Sequence, residues 1–476
     1  MAGLFGILNM AGQSLQTQQT AVQVTGQNLA NVNTTGYSRQ TADIETSPDV
    51  TVPGIGLEGT GAQVLTIQQA VDAVLNSQIQ SQQSVSGYWN AQQSGLQSIQ
   101  ANLDEFLSTS NSSATNTSTS TTTSSGLSAL MNNFFSDLQS VATSPTSIPA
   151  RQSLISDAQS LATAFNQMSS QFGQQDTALN TTLSNDVNSA NQLLSQIAGL
   201  NQQISAAEFG GGDANDLVDE QQQVLQNLAQ LTDITTSAGT NGQVNVSIDG
   251  QALVSGNKLL DTLQTYDQGN GNLLVETATG GSPLTLTGGS MQGTIDARDG
   301  TLATLQNSVN TLASTLITQF NSTYSSGYSL TGTTGGVFFN GSDATSIAVN
   351  QTLVNDPSSF QASGSATASG DNSVALQLAQ LANAAQSGLS GLTFTGSYAQ
   401  TVGSFGSAVQ NANTQVTNQT AVINMLTAQQ QTVSGVSIDE EMTHLLTFQQ
   451  AYEASAELVS TVNQMLGATL AMKSGS

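Results

Sequence analysis

Apolar residues return at every seventh position at both ends of the chain. Near its start, Leu8, Leu15, Val22 and Leu29 form one stripe, and Leu4, Ala11, Gln18 and Thr25 form a second. Near its finish, Leu445, Tyr452, Val459 and Leu466 form one, and Met442, Gln449, Ala456, Asn463 and Leu470 the other. A sustained heptad sets one stripe of a helix against a partner helix. The second stripe is half polar in each case, so neither helix makes a self-sufficient coiled coil. The spacing predicts terminal helices that pair with each other and are completed by neighbouring subunits. The first helix should stop in Asn28-Leu29-Ala30-Asn31-Val32-Asn33-Thr34-Thr35-Gly36-Tyr37. There Asn and Thr compete for backbone hydrogen bonds, and Gly36 suits a left-handed turn. The last helix should run over 438–472, with Asp439, Glu440 and Glu441 complementing the dipole in its first turn.

Between the ends the pattern is mostly helical. Residues 77–106 read as one long Gln/Ser-rich helix, with Trp89 as packed core or interface. The tract 108–125 holds one Ala and no larger apolar residue, so it should remain disordered. Helices are predicted over 127–141, 150–174, 176–209 and 214–231, with Gly210-Gly211-Gly212 as a break. Period two then appears. Val244, Val246 and Ile248 alternate with polar residues, Asp249-Gly250 is a two-residue hairpin signal, and 252–254 is the return strand. Short strands are expected at 273–275 and 284–286. Helix resumes at 302–324, 372–385 and 403–433. The Gly-rich stretch 327–370 should be irregular, anchored only by Phe338-Phe339. The fold class is therefore mainly α with small β insertions: paired terminal helices, a long helical bundle and a short hairpin-containing insertion. The domains expected are 1–60 with 434–476 for assembly; 61–231 with 300–326 and 371–433 as the bundle; 232–299 as a β-rich subdomain; and 327–370 as a reduced outer domain.

Composition narrows the chemistry. Of 476 residues 8% are charged, and the net charge is −26. The five bases, Arg39, Arg151, Lys258, Arg298 and Lys473, are scattered singly. That leaves no basic patch for nucleic acid or for an anionic membrane. There is no cysteine, and the one histidine, His444, lies inside the last helix beside Leu445. No thiolate chemistry, Ser-His-Asp triad or zinc site is expected, and no cofactor. Asp213, Asp216, Asp219 and Glu220 are read as helix-start charge in preference to a cation site, and Asp296-Ala297-Arg298-Asp299 as a local ion-pair cluster. No apolar run approaches the ~18 residues of a spanning helix. The opening ten residues hold no Lys or Arg, unlike a Sec-type signal peptide.

The segment from Asn28 to Gln40, with Asn28, Ala30, Asn31, Gly36 and Tyr37 as its core, closely resembles the N-terminal signature of the bacterial flagellar axial proteins. The stretch Ser434–Met442, with Phe448, Gln449 and Tyr452, resembles their C-terminal signature. Within that group, four stretches resemble the hook-associated protein 1 family of first hook–filament junction proteins. They are Phe134-Phe135 through Pro149-Ala150-Arg151-Gln152; Ala214 to Asp219; Gly293 to Asp299 with Leu312-Ala313 and Phe320-Asn321; and Gly370-Asp371-Asn372-Ser373. Glu220-Gln221 stands where that family has an Arg-Asp pair. The resemblance implies a structural protein without catalysis, exported unfolded by the flagellar type III apparatus with an export chaperone. It implies a helical tier of copies of the chain, meeting hook protein on one side and the second junction protein on the other. It also assigns the assembly interface to the two heptad stripes. The alternatives are the hook protein or another axial protein, and, from another class, a secreted glycan-active enzyme or adhesin on a helical stalk.

Overall fold

The computed structural model describes residues 2–52, 56–107 and 126–474. The tract expected to be disordered, 108–125, lies outside the described residues. Helix α1 (Ala2–Ala30) leads into a ribbon of β1 (Gln40–Thr46), β2 (Val50–Val52), β3 (Gly56–Glu58) and β4 (Ala62–Gln69). β1 pairs antiparallel with β4, and β2 with β3. The sequence pattern did not reveal this ribbon. Along β1 only Gln40 is buried, so there is no alternation to detect.

The body begins with α2 (Ala73–Leu107), α3 (Leu127–Thr143) and α4 (Ile148–Phe209). α4 corrects the expectation of two helices over 150–174 and 176–209. It is one rod of 62 residues, about 90 Å long at 1.5 Å per residue. Its buried stripe passes from Phe172 to Leu179 through Gln175, a buried amide whose Oε1 accepts from Ser98 Oγ at 3.2 Å. One polar residue in the stripe hid the continuity. Ser147 caps its start, accepting from the Ala150 amide.

After α5 (Asn215–Leu231) come β5 (Thr235–Ala238), β6 (Val244–Ile248), β7 (Gln251–Ser255) and β8 (Lys258–Leu259), an antiparallel sheet in that order. Asp249 and Gly250 both take positive φ between Ile248 and Gln251, as a tight hairpin requires. β9 (Leu263–Asp267) and β10 (Leu273–Thr277) form a second hairpin. No strand forms at 284–286. The Leu284 amide donates to the Val275 carbonyl of the neighbouring chain segment at 3.0 Å, and beyond it side chains hold the backbone, with Asp249 accepting from the Thr285 amide and Asp233 from the Thr287 amide.

α6 (Gly289–Asp296) runs through a π-wound turn, Ala297–Leu302, into α7 (Ala303–Tyr324). β11 (Phe339–Asn340), β12 (Ala348–Val349) and α8 (Gln351–Asn355) follow. Phe338-Phe339 is not the sole anchor here: Ile347, Leu353 and Phe360 are buried as well. Phe360 closes an aromatic cluster with Tyr324 and Phe338. Arg151, fully buried, donates from Nε to the Pro145 carbonyl at 2.8 Å and from its Nη1 to Phe360 and Ser358 carbonyls. Burial pushes its guanidinium down to about 10, so it stays charged at neutral pH. α9 (Ser373–Gln380) stops earlier than expected, α10 (Phe394–Ser434) starts earlier, and α11 (Ile438–Ser474) ends the chain.

The body holds two large apolar clusters. One gathers α3, the first half of α4, α7, α9 and α10. The other gathers the second half of α4 with α5, α6 and the sheet. α1 packs along α11 and against β1 and β4.

Candidate assembly interface

Asn28 organises the end of α1. It is buried at 1% exposure, and its amide uses all of its hydrogen-bonding capacity. Nδ2 donates to the Gln40 carbonyl at 2.7 Å and to Glu441 Oε2 at 3.0 Å. Oδ1 accepts from the Gln40 amide at 2.9 Å and from the Tyr37 hydroxyl at 2.9 Å. Asn31 caps the helix end, donating from Nδ2 to the Gln27 carbonyl and accepting from Thr34 Oγ1 at 3.1 Å. Gly36 has φ +81°, the left-handed region that a side chain resists, and it lies against Gln223. Of the N-terminal signature residues, Asn28 is buried, Asn31 and Tyr37 are half-buried, and Ala30 and Gly36 are exposed.

Glu441 brings the far end of the chain to the same point. Its carboxylate is buried and takes Arg39 Nε at 2.8 Å, while Glu440 meets Arg39 Nη1 at 3.5 Å. The Arg39 amide donates to the Ser434 carbonyl at 2.8 Å. The expected acidic first turn of α11 is therefore partly an ion pair with the first turn after α1. α5 supplies the third side. Asp219 accepts from the Ser38 amide at 2.8 Å and from its hydroxyl at 2.7 Å. Asp216 accepts from Gln40 Nε2 at 2.7 Å and Gln27 Nε2 at 3.0 Å, and Asp213 from the Ile67 amide at 2.8 Å. Burial raises the Asp219 carboxyl against the lowering effect of the two Ser38 bonds. Burial, then the Asp216, Asp219 and Glu441 charges, push the Tyr37 phenol far up, so it is a neutral donor.

The heptad stripes are placed as follows. Leu8, Leu15, Val22 and Leu29 are half-buried, and the tightest packing on α1 falls on Ala11, Thr17, Ala21, Val24 and Thr25 beside them. Thr17 Oγ1 donates to the Ala62 carbonyl at 2.8 Å, which turns this face towards β4. On α11, Leu445, Val459 and Leu466 are half-buried and Tyr452 is exposed. The second stripe of α11 corrects the expectation. Met442, Gln449, Ala456, Asn463 and Leu470 are exposed, and the inward row lies one residue earlier, at Glu441, Phe448, Ser455 and Val462. Ser455 meets Ser14 of α1 at 3.0 Å. Phe448 stacks on His444, which is exposed.

Apolar side chains remain outside on α11: Ile438, Met442 and Leu446, then Leu458, Met465 and Met472. At about 100° per residue, the first group lies on one side of the buried row and the second on the other.

Among the described residues no group of His, Asp and Glu could hold a metal ion. The α5 carboxylates are engaged by the N-terminal segment. Arg298, buried, pairs with Asp299 at 2.8 Å and donates to Asn180 and to the Leu273 carbonyl, so the expected ion-pair cluster fastens β10 to α4. Trp89 is half-buried, edge-on to Tyr88. A groove of about 830 Å³ between α7 and α10 is lined by Thr304, Thr311, Ser397, Gln400, Ser404 and the Phe405 ring, among others, with Asp296 as its one carboxylate.

Residues 112–339 match the family described as flagellar hook-associated protein FlgK helical domain. Residues 8–37 match flagella basal body rod protein, and 428–472 match flagellar basal body rod FlgEFG protein C-terminal. Flagellar hook-associated protein 1 of Bacillus subtilis is 26% identical over 98% of both chains. The Escherichia coli protein of the same name is 24% identical over 98% of this chain and 99% of that one. The chain belongs to the flagellar hook-associated protein 1 family. The flagellar hook junction protein FlgK from Burkholderia pseudomallei shares the fold, with a TM-score of 0.62 at 19% identity, over 75% of this chain and all of that one. The hook-associated protein 1 family is a structural family of the bacterial flagellum. In this chain the two rod-type matches fall mainly on α1 and α11, and the FlgK-type match covers part of the body between them.

Proposed function

We propose that this chain is the subunit that forms the junction between hook and filament, standing as a helical tier of identical copies outside the cell. The observation that carries the reading is the α1–α11 pair. It is clipped shut at one end by Asn28, Arg39 and Glu441, yet it leaves apolar side chains exposed on both sides of its buried row. Contacts on two different faces of one element build head-to-tail assemblies that continue around a tube. Exposed apolar strips of this kind mark protein–protein surfaces. The hook protein would meet the tier on one side and the second junction protein on the other, after delivery as an unfolded chain held by an export chaperone. The layer formed by α1, the ribbon and α11 is the assembly domain in this reading. The helical bundle is its body, the sheet region 232–299 a subdomain, and 327–370 a reduced outer part of the bundle.

The test is complementation. A strain lacking this chain should build hooks and release filament protein into the medium, and expression of the chain should restore filaments and swimming. A strain without hook protein should not be rescued, which separates the junction reading from the hook reading. Rescue of the hook-less strain, or strong binding on a glycan array with no effect on filaments, would reverse the assignment.

A further inference from the structure

The terminal layer and the body do not share an apolar core. Among the described residues, none of the three buried apolar clusters takes a residue before Leu75 or after Leu426. Apart from the bond from the Arg39 amide to the Ser434 carbonyl at the end of α10, the polar bonds by which the layer meets the body gather about α5, most of them at its start. Asp213 takes the Ile67 amide, Asp216 takes Gln27 and Gln40, and Asp219 takes Ser38 twice. Asn215 Nδ2 donates to the Ile67 carbonyl at 2.7 Å, and Gln69 and Gln223 donate to the Asn215 and Thr35 carbonyls at 2.6 Å. The covalent crossings are short: residues 70–72 between β4 and α2, and 435–437 between α10 and α11.

We infer that Asp213, Asp216 and Asp219 are a releasable latch that sets the angle of the terminal layer against the body. A packed apolar interface resists opening because its whole area must be wetted. Hydrogen bonds to ionised acceptors are directional and strong while made, and water replaces them when they part. Asp213 and Asp216 are exposed, so water already reaches them. The short crossings are where the backbone absorbs the rotation, as hinges at element ends do. The layer therefore has one preferred orientation and a low-cost way out of it. This concerns the isolated chain and does not depend on the junction reading.

The native chain has no cysteine, so a label pair can be placed without background. Gln23→Cys on α1 and Asn227→Cys on α5 are both exposed positions. Spin-label distance measurement should give one narrow peak in the otherwise native chain at pH 7. Asp213→Asn/Asp216→Asn/Asp219→Asn should lose that peak to a broad distribution, while the melt of the body stays in place. Ser38→Ala, on the other side of the latch, should broaden it partially. An unchanged narrow peak in the triple variant would overturn the latch. A lowered body melt would also overturn it, because the carboxylates would then belong to the body's own stability. Failure here leaves the junction reading intact, since complementation decides that separately.

Discussion

Arg39 Nε donates to Glu441 Oε1 at 2.8 Å across 402 residues of sequence. The pair closes the loop between the two ends of the chain. Asn28 binds the other oxygen of the same carboxylate, so Glu441 is fully engaged though almost wholly buried. Removing a buried partner is costlier than a surface pair suggests, because the group left behind loses its compensation. Arg39 is about a quarter exposed and can recover water. Glu441→Gln should therefore cost about 1–3 kcal/mol in the terminal layer. Hydrogen exchange should speed up in α1 and α11 and stay unchanged in α4. Equal acceleration in α4 would show that the pair supports the whole fold.

Gly87 on α2 lies where a Cβ would stand 1.9 Å from the Gln230 carbonyl oxygen of α5. The obstacle is backbone and cannot rotate away. Gly87→Ala should push α2 from α5 and destabilise the body by roughly 2–4 kcal/mol, beyond the ordinary cost of overpacking. A thermal melt reads it. An unchanged melting temperature would mean that the two helices slide apart freely.

The pH dependence should be inverted relative to most proteins. Asp157, Asp176, Asp186 and Asp219 all lie above the ordinary 3.8, chiefly through burial. A carboxyl raised in the folded state contributes stability that is complete below its unfolded value and lost as pH rises through its folded value. Acidifying from neutral pH therefore stabilises. Relief of the −26 net charge acts in the same direction. Asp343, Asp356 and Asp371 are lowered by hydrogen bonds, first from the Ser346, Ser358 and Ser373 hydroxyls. Their contribution is present above 3.8 and lost as pH falls through their lowered values. The melting temperature should rise from pH 7 towards about 4 and fall below that. Asp186→Asn should gain stability at pH 7 and flatten the rise. A steady decline from pH 7 to 4 would contradict the assignment.

What the sequence shows and hides follows from where partners lie. The heptad of α11 is legible in the sequence, but its inward second row lies one residue earlier than the apolar pattern places it. Met442 and Leu470 look more apolar than Glu441 and Ser455. Yet the latter face inward, because Arg39, Asn28 and Ser14 meet their polar groups. Gln175 interrupted the stripe of α4 for the same reason. The β1–β4 ribbon has no two-residue signal because neither face is covered throughout. Asp216 and Asp219 read as helix-start charge because their partners sit 176 and 181 residues away. The hairpin at Asp249-Gly250 was legible because its determinants are all local.

Two substitutions on α11 separate its inward and outward faces. Val462 is buried at 2% exposure, whereas Met465, three residues on, is 52% exposed. A carboxylate at 462 must be desolvated or protonated in place, costing several kcal/mol. Val462→Asp should therefore detach α11 from α1 in the isolated chain, with loss of helical circular dichroism from the ends and a retained body melt. Val459→Asp, at a half-buried position, should do so more weakly. Met465→Asp faces water in the monomer, so its charge stays solvated and the monomer should be indistinguishable from native. If that face is covered by a neighbouring copy, the same charge is buried anew in every subunit of the tier. Cells carrying Met465→Asp should then form hooks, fail to seat filaments and shed filament protein, despite a correctly folded monomer. Native swimming would show that the outward strip through Leu458, Met465 and Met472 is left uncovered in the assembled flagellum. Loss of monomer helix would place Met465 inside the α1–α11 pair.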